Sequence, residues 1–74
     1  RIEEITINAG SSIVNKRLSD VPLRDKLGLL VLAIISEGDN MLYNPPANTV
    51  LSEKSIIVVM GEVKNIQHAR EFIK

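Results

Sequence analysis

Few side chains in this 74-residue sequence combine the type and the spacing that chemistry requires. The single histidine, His68, has only Arg70 and Glu71 close by and no nucleophile placed to use it as a base. It reads as a solvated or packing residue. Ser11, Ser12, Ser19, Ser36, Ser52 and Ser55 lack the partner motifs that activate a hydroxyl, such as a nucleophile elbow, and read as loop and turn residues. Glu3 and Glu4 are adjacent, so a strand points them to opposite faces instead of pairing them as an acid and a base. Glu37 and Asp39 flank Gly38 and offer oxygens of the kind calcium takes, but two carboxylates fall well short of the six to eight ligands it needs. Gly10-Ser11-Ser12 has no following lysine and no phosphate fingerprint, and reads as a turn. The expectation is a chain with no catalytic residues and no metal site, and not an enzyme.

The elements that hold these residues follow from periodicity. Ile5, Ile7 and Ala9 alternate with polar residues, which predicts a half-buried strand over residues 2–8. Ile13, Val14 and Leu18 give apolar anchors without a clean period, so a loop or one helical turn is expected there. Pro22 suits the first turn of a helix, Leu23 and Leu27 share a face, and Gly28 stops it, predicting a short helix of about seven residues. Residues 29–35 are wholly apolar and read as a strand with both faces covered. The Ser36-Glu37-Gly38-Asp39-Asn40 cluster closes a hairpin onto a strand at 41–43, which Pro45 and Pro46 end because neither donates a ladder hydrogen bond. A bridge is expected near residues 49–51, a fourth strand at 56–60, and an amphipathic helix from 63 to 74 with Val63, Ile66, Ala69, Phe72 and Ile73 on one face. The fold class is α+β: a small, mostly antiparallel four-stranded sheet with a short helix after strand one and a C-terminal amphipathic helix.

Composition bounds the function. At this length only about 60% of the unfolded chain's surface is buried on folding, and with no cysteine neither disulfides nor a cysteine zinc site reinforces the core. One Tyr and one Phe leave the core to aliphatic side chains. Pairing with a second copy is the reinforcement that remains, and a symmetric homodimer is expected. Nine basic residues balance nine acidic ones, which argues against a nucleic-acid partner or an anionic membrane surface. The apolar run at 29–35 is far shorter than the roughly 20 residues that span a bilayer, so no membrane insertion is expected. The absence of cysteine fits a reducing cytoplasm. The chain starts at Arg1 with no leader pattern, and the expectation is one domain over residues 1–74 cut from a longer protein.

Five stretches, IEEITI, GSSIVNKRLSD, LRDKLGLLVLAI, GDNMLYNPPANTVL and SIIVVMGEVKNI, occur in an order and spacing that resemble a known family over residues 2–72. It is the C-terminal subdomain of regulators of potassium conductance, also called the TrkA C-terminal domain. The resemblance implies a cytoplasmic, non-catalytic regulatory module of a potassium channel or transport system, without a cofactor, that pairs with a second copy. Similar modules occur on antiporters and anion symporters. In some members cyclic di-AMP binds across the dimer, and the positions matching that site are Ile34, Ile35, Ser36, Asn44, Pro45 and Pro46. Two departures stand out. Many relatives carry basic residues after the Ala-Ile of strand two, where this chain has Ile35 and Ser36, so a phosphate would lose a charge-assisted contact. Lys54 and Ser55 stand where the family often has Gly and Asp. A purely structural assembly module is the alternative that the first departure favours.

Overall fold

Ile5 and Ile7, the apolar half of the first alternating stretch, are almost fully buried, whereas Glu4, Thr6 and Asn8 face solvent. The computed structural model describes all of residues 1–74. Its elements are β1 (Ile2–Thr6), β2 (Leu30–Ser36), β3 (Asn40–Tyr43), β4 (Ile56–Met60) and α1 (Val63–Phe72). The strands form one antiparallel sheet in the order β1-β4-β2-β3, so the last strand in sequence lies inside the sheet. The α+β class, the four strands and the terminal helix agree with the sequence reading, and Arg17 and Val50 form the isolated bridge expected near residues 49–51.

β2 departs from simple alternation. Val31 pairs with Val59 and Ile34 with Ile57, but the register slips by one residue between Val31 and Ala33. The extra residue, Leu32, makes a β-bulge. Without it, Val31 and Ile34 would lie on opposite faces; with it, both join Ile57 and Val59 on the face that carries the core. Full burial of side chains such as Ile57 and Val59 is worth about 1.5–3 kcal/mol each. On this face α1 lays down Ile66 and Ala69, with Ile73 just past its C-terminus, while Ile13, Val21, Leu23 and Leu51 close the sides. Within one chain the helix covers one side of β2; on the other Ala33 is buried but Leu30 is exposed.

The short helix predicted after strand one is a three-residue 3-10 turn at Leu18–Asp20. The Pro22-to-Gly28 segment that suggested it makes only isolated turn hydrogen bonds, including Lys26 N–H to the Pro22 carbonyl and Gly28 N–H to the Arg24 carbonyl. Five residues between a starting proline and a left-handed Gly28 (φ 66°) give too few helical bonds to offset nucleation. α1 also buries a narrower stripe than its spacing suggested, since Val63 and Phe72 stay exposed.

The Gly10-Ser11-Ser12 turn has a structural task. The Ser11 hydroxyl, 8% exposed, donates to the Ile73 carbonyl and accepts from the Ile13 N–H, and the Ser12 hydroxyl donates to the Phe72 carbonyl. These hydroxyls satisfy carbonyls that the end of α1 leaves without intrahelical partners. Arg70 adds a second tie, donating to the Glu3 carboxylate at 3.1 Å and the Glu4 carbonyl at 3.0 Å.

Two substitutions test these features by urea unfolding. Lys54 holds φ 67° in the turn before β4, a conformation costly for a side chain with a Cβ. Lys54→Gly is expected to stabilise the domain by about 0.5–1 kcal/mol. Ser11→Ala, which orphans buried polar groups, is expected to destabilise it by about 1–3 kcal/mol.

Candidate functional site

The hairpin between β2 and β3 turns through two left-handed residues, Gly38 at φ 93° and Asp39 at φ 64°. Asp39 N–H bonds to the Ser36 carbonyl at 3.0 Å, and the Ser36 hydroxyl donates to the Asn40 carbonyl at 3.1 Å. Both contacts fix the end of β2. At the other end of β3 the chain turns sharply at Asn44, again left-handed at φ 45°, a conformation that asparagine tolerates better than most residues. Its N–H bonds to the carbonyl of the bulged residue Leu32 at 2.9 Å. Pro45 and Pro46 then carry the chain off the sheet. The corner is anchored from outside the hairpin by Ser19 N–H to the Ala47 carbonyl and Leu18 N–H to the Thr49 carbonyl, both 2.8 Å.

The six residues singled out from the sequence divide into three sets. Ile34 is 6% exposed and belongs to the core cluster, where it pairs with Ile57 and Leu42. Ile35 and Ser36 are half-buried at the hairpin end of β2, with Ile35 opposite Met41 and Ile56 on the sheet face away from the core. Asn44, Pro45 and Pro46 form the corner at the far end of β3. The largest groove, about 780 Å3, takes in Asn44 and Pro45 but none of Ile34, Ile35 and Ser36. It is floored by Val21, Leu23, Leu29 and Val31, walled by Phe72 and rimmed by Asp20, Arg24, Asp25 and Lys26.

Charge around the hairpin is one-sided. Between Leu27 and Ser52 the only ionisable acids and bases besides Tyr43 are Glu37 and Asp39, so no cation of this stretch is available to an anionic ligand. Glu3 and Glu4 lie on opposite faces as expected, and Glu3 is engaged by Arg1 and Arg70. His68 is exposed on α1. No group of three or more His, Asp or Glu side chains converges. Sequence reasoning overlooked Tyr43, the most exposed of the large apolar side chains at 73%, and Met41 beside it. The Met41-Leu42-Tyr43 run is apolar throughout and gave no periodic signal of which side chains stay exposed.

A four-stranded antiparallel sheet covered on one face by a single helix, with a hairpin and a proline corner fixing its surface loops, defines a small α+β domain. The chain belongs to the TrkA-C domain family, whose profile matches residues 2–74. It is 27% identical over 66 residues to the K+/H+ antiporter subunit KhtT of Bacillus subtilis, covering 89% of this chain and 40% of that protein. It is 30% identical over 60 residues to Potassium channel protein 1 of Methanocaldococcus jannaschii, covering 81% of this chain and 18% of that protein. The chain thus spans less than half the length of either relative. The fold matches the RCK_C domain dimer of S. agalactiae BusR in complex with c-di-AMP with a TM-score of 0.86 at 18% identity, covering 96% of this chain and 92% of that one. No helix is long and apolar enough to cross a membrane.

Asn44 offers a test of how the corner is held. Asn44→Val places a β-branched residue at positive φ and is expected to cost about 1–2 kcal/mol. Asn44→Gly should stay within about 0.5 kcal/mol of the parent, because glycine accepts this conformation freely. Denaturant midpoints of both variants decide it.

Proposed function

We propose that the chain is a cytoplasmic, non-catalytic regulatory domain of a potassium channel or potassium transport system, which pairs with a second copy and senses a small ligand. The observation that carries this reading is the family match over residues 2–74, together with two relatives that are themselves a K+/H+ antiporter subunit and a potassium channel protein. The antiporter relative supports an equivalent regulatory domain of an antiporter as a second setting. The net charge of zero supports a role without nucleic acid.

The ligand surface in this proposal comprises Ile35, Ser36, Asn44, Pro45 and Pro46, with Ile34 holding β2 in place from the core side. The c-di-AMP complex of the BusR domain dimer makes cyclic di-AMP the first ligand to try. Regulation needs only differential affinity: a ligand preferring one arrangement of two paired domains shifts their populations, and an attached transport unit reads the shift. A purely structural module is the competing reading, and the uncharged Ile35 and Ser36 favour it.

Thermal unfolding with cyclic dinucleotides, adenine nucleotides and divalent ions separates the two. A competent site at 100-fold ligand excess over Kd stabilises by about 2.7 kcal/mol, a rise on the order of 10 °C for a domain of this size. No rise for any ligand, with pairing intact, leaves the structural module.

A further inference from the structure

The sheet ends on β3, and the outer edge of that strand is bare. Asn44 N–H bonds to the Leu32 carbonyl, so by the alternation of an antiparallel ladder Leu42 and Asn40 also turn their backbone groups toward β2. The N–H and C=O of Met41 and Tyr43 therefore point outward, and no hydrogen bond beyond the sheet uses them. Their side chains are open too: Met41 and Leu42 are each 44% exposed and Tyr43 73%. The opposite edge, β1, carries Glu3 and Glu4 next to Arg1, whereas β3 has neither charge nor proline from Asn40 to Tyr43 and lacks the usual protection of an exposed edge. We propose that β3 takes up, as an added strand, an extended cytoplasmic segment of the transport unit that bears Lys or Arg where it meets the hairpin turn.

Charge selects the occupant. Glu37 and Asp39, in the turn that leads into β3, are exposed and join no ion pair. A second copy laid along the same edge does not neutralise them, because the chain has no lysine, arginine or histidine from Gly28 to Leu51. A basic segment of another protein does. Cytoplasmic loops of membrane proteins carry an excess of Lys and Arg close to their membrane-spanning helices, so a transport unit offers segments of this kind. The source of the segment rests on the proposed transport role; the addition of a strand rests on the edge itself.

The edge also sets polarity and side-chain pattern. Antiparallel pairing is the more stable per residue, and β3 runs from the turn to the proline corner. The added strand then runs from the corner to the turn, and its basic residues follow its apolar ones. Two apolar side chains two positions apart lie beside Tyr43 and Met41 on one face, and the residue between them lies beside Leu42 on the other. The first two exchange main-chain hydrogen bonds with Tyr43 and Met41, which supplies affinity, while the alternating side chains and the acidic turn supply specificity.

Amide hydrogen exchange, read by NMR on the 74-residue chain, tests the edge with a synthetic peptide that alternates threonine and valine and ends in a lysine pair. The peptide is expected to slow exchange at Met41 and Tyr43 by roughly tenfold or more. N-methylation of its valines, which removes the N–H groups aimed at β3, should abolish the slowing, whereas N-methylation of the threonine between them should not. Glu37→Gln combined with Asp39→Asn should weaken binding roughly three- to tenfold at low salt; asparagine tolerates the left-handed conformation of residue 39, so the turn is kept. No slowing at the highest soluble peptide concentration, or equal slowing by both methylated forms, overturns strand addition and leaves the regulatory role standing, since thermal unfolding with ligands tests that separately. Equal binding of a peptide with glutamates in place of the lysines overturns the basic partner. Slowing at Met41 and Tyr43 that appears on raising the chain's own concentration, without peptide, gives the edge to a second copy and overturns the assignment as well.

Discussion

One extra residue in β2 sets the arrangement of everything around it. The bulge at Leu32 puts Val31 and Ile34 on the same side of the sheet, although their spacing would separate them in a regular strand. Both can then pack beneath α1 with Ile57 and Val59. The same irregularity gives Asn44 its hydrogen-bond partner in the Leu32 carbonyl, which fixes where β3 ends and where the proline corner departs. Core composition, face assignment and surface corner thus depend on a single local irregularity.

With only 74 residues and one helix, the chain covers a single face of its sheet. It secures that cover at both ends of the helix's last turn: Arg70 reaches Glu3 and the Glu4 carbonyl, and the Ser11 and Ser12 hydroxyls reach the final carbonyls. The partly exposed ion pairs contribute little by themselves, since solvent screens them. Ser11 contributes more because it is buried, and the carbonyl it satisfies would otherwise lack a protein partner. The resulting domain has one sheet face packed under α1 and one on which Leu30, Met41 and Tyr43 are exposed.

Strand positions were legible wherever apolar and polar residues alternated or turn residues bounded a run. Ile56–Met60 was read at its observed limits, and β1, β2 and β3 within two residues at either end. The Pro22-to-Gly28 segment misled because it carries a helix start and a helix stop with too few residues between them. The bulge was hidden for a different reason: LLVLAII is apolar throughout, so no polar residue marks where alternation slips. At the candidate site, Asn44 and the prolines were readable as a corner from composition alone. That Ile34 faces the core while Ile35 faces outward depends on the bulge, and single-strand periodicity could not sort the two. The capping by Ser11 was equally out of reach, since its partner lies 62 residues away.

The placement of β4 has a consequence for how the domain comes into being. β4 is the last of the four strands in sequence, yet it lies between β1 and β2 and is the only partner β1 has in the sheet. The hairpin of β2 and β3 can form early from local contacts, but β1 must wait for residues fifty or more positions downstream before it joins the sheet. On the ribosome, then, the nascent chain holds Ile5 and Ile7 uncovered until Ile57 and Val59 have emerged, and α1 docks only after that. Folding is therefore nearly all-or-none with respect to synthesis: a truncation before β4 leaves a hairpin and a loose N-terminal segment, not a smaller version of the domain.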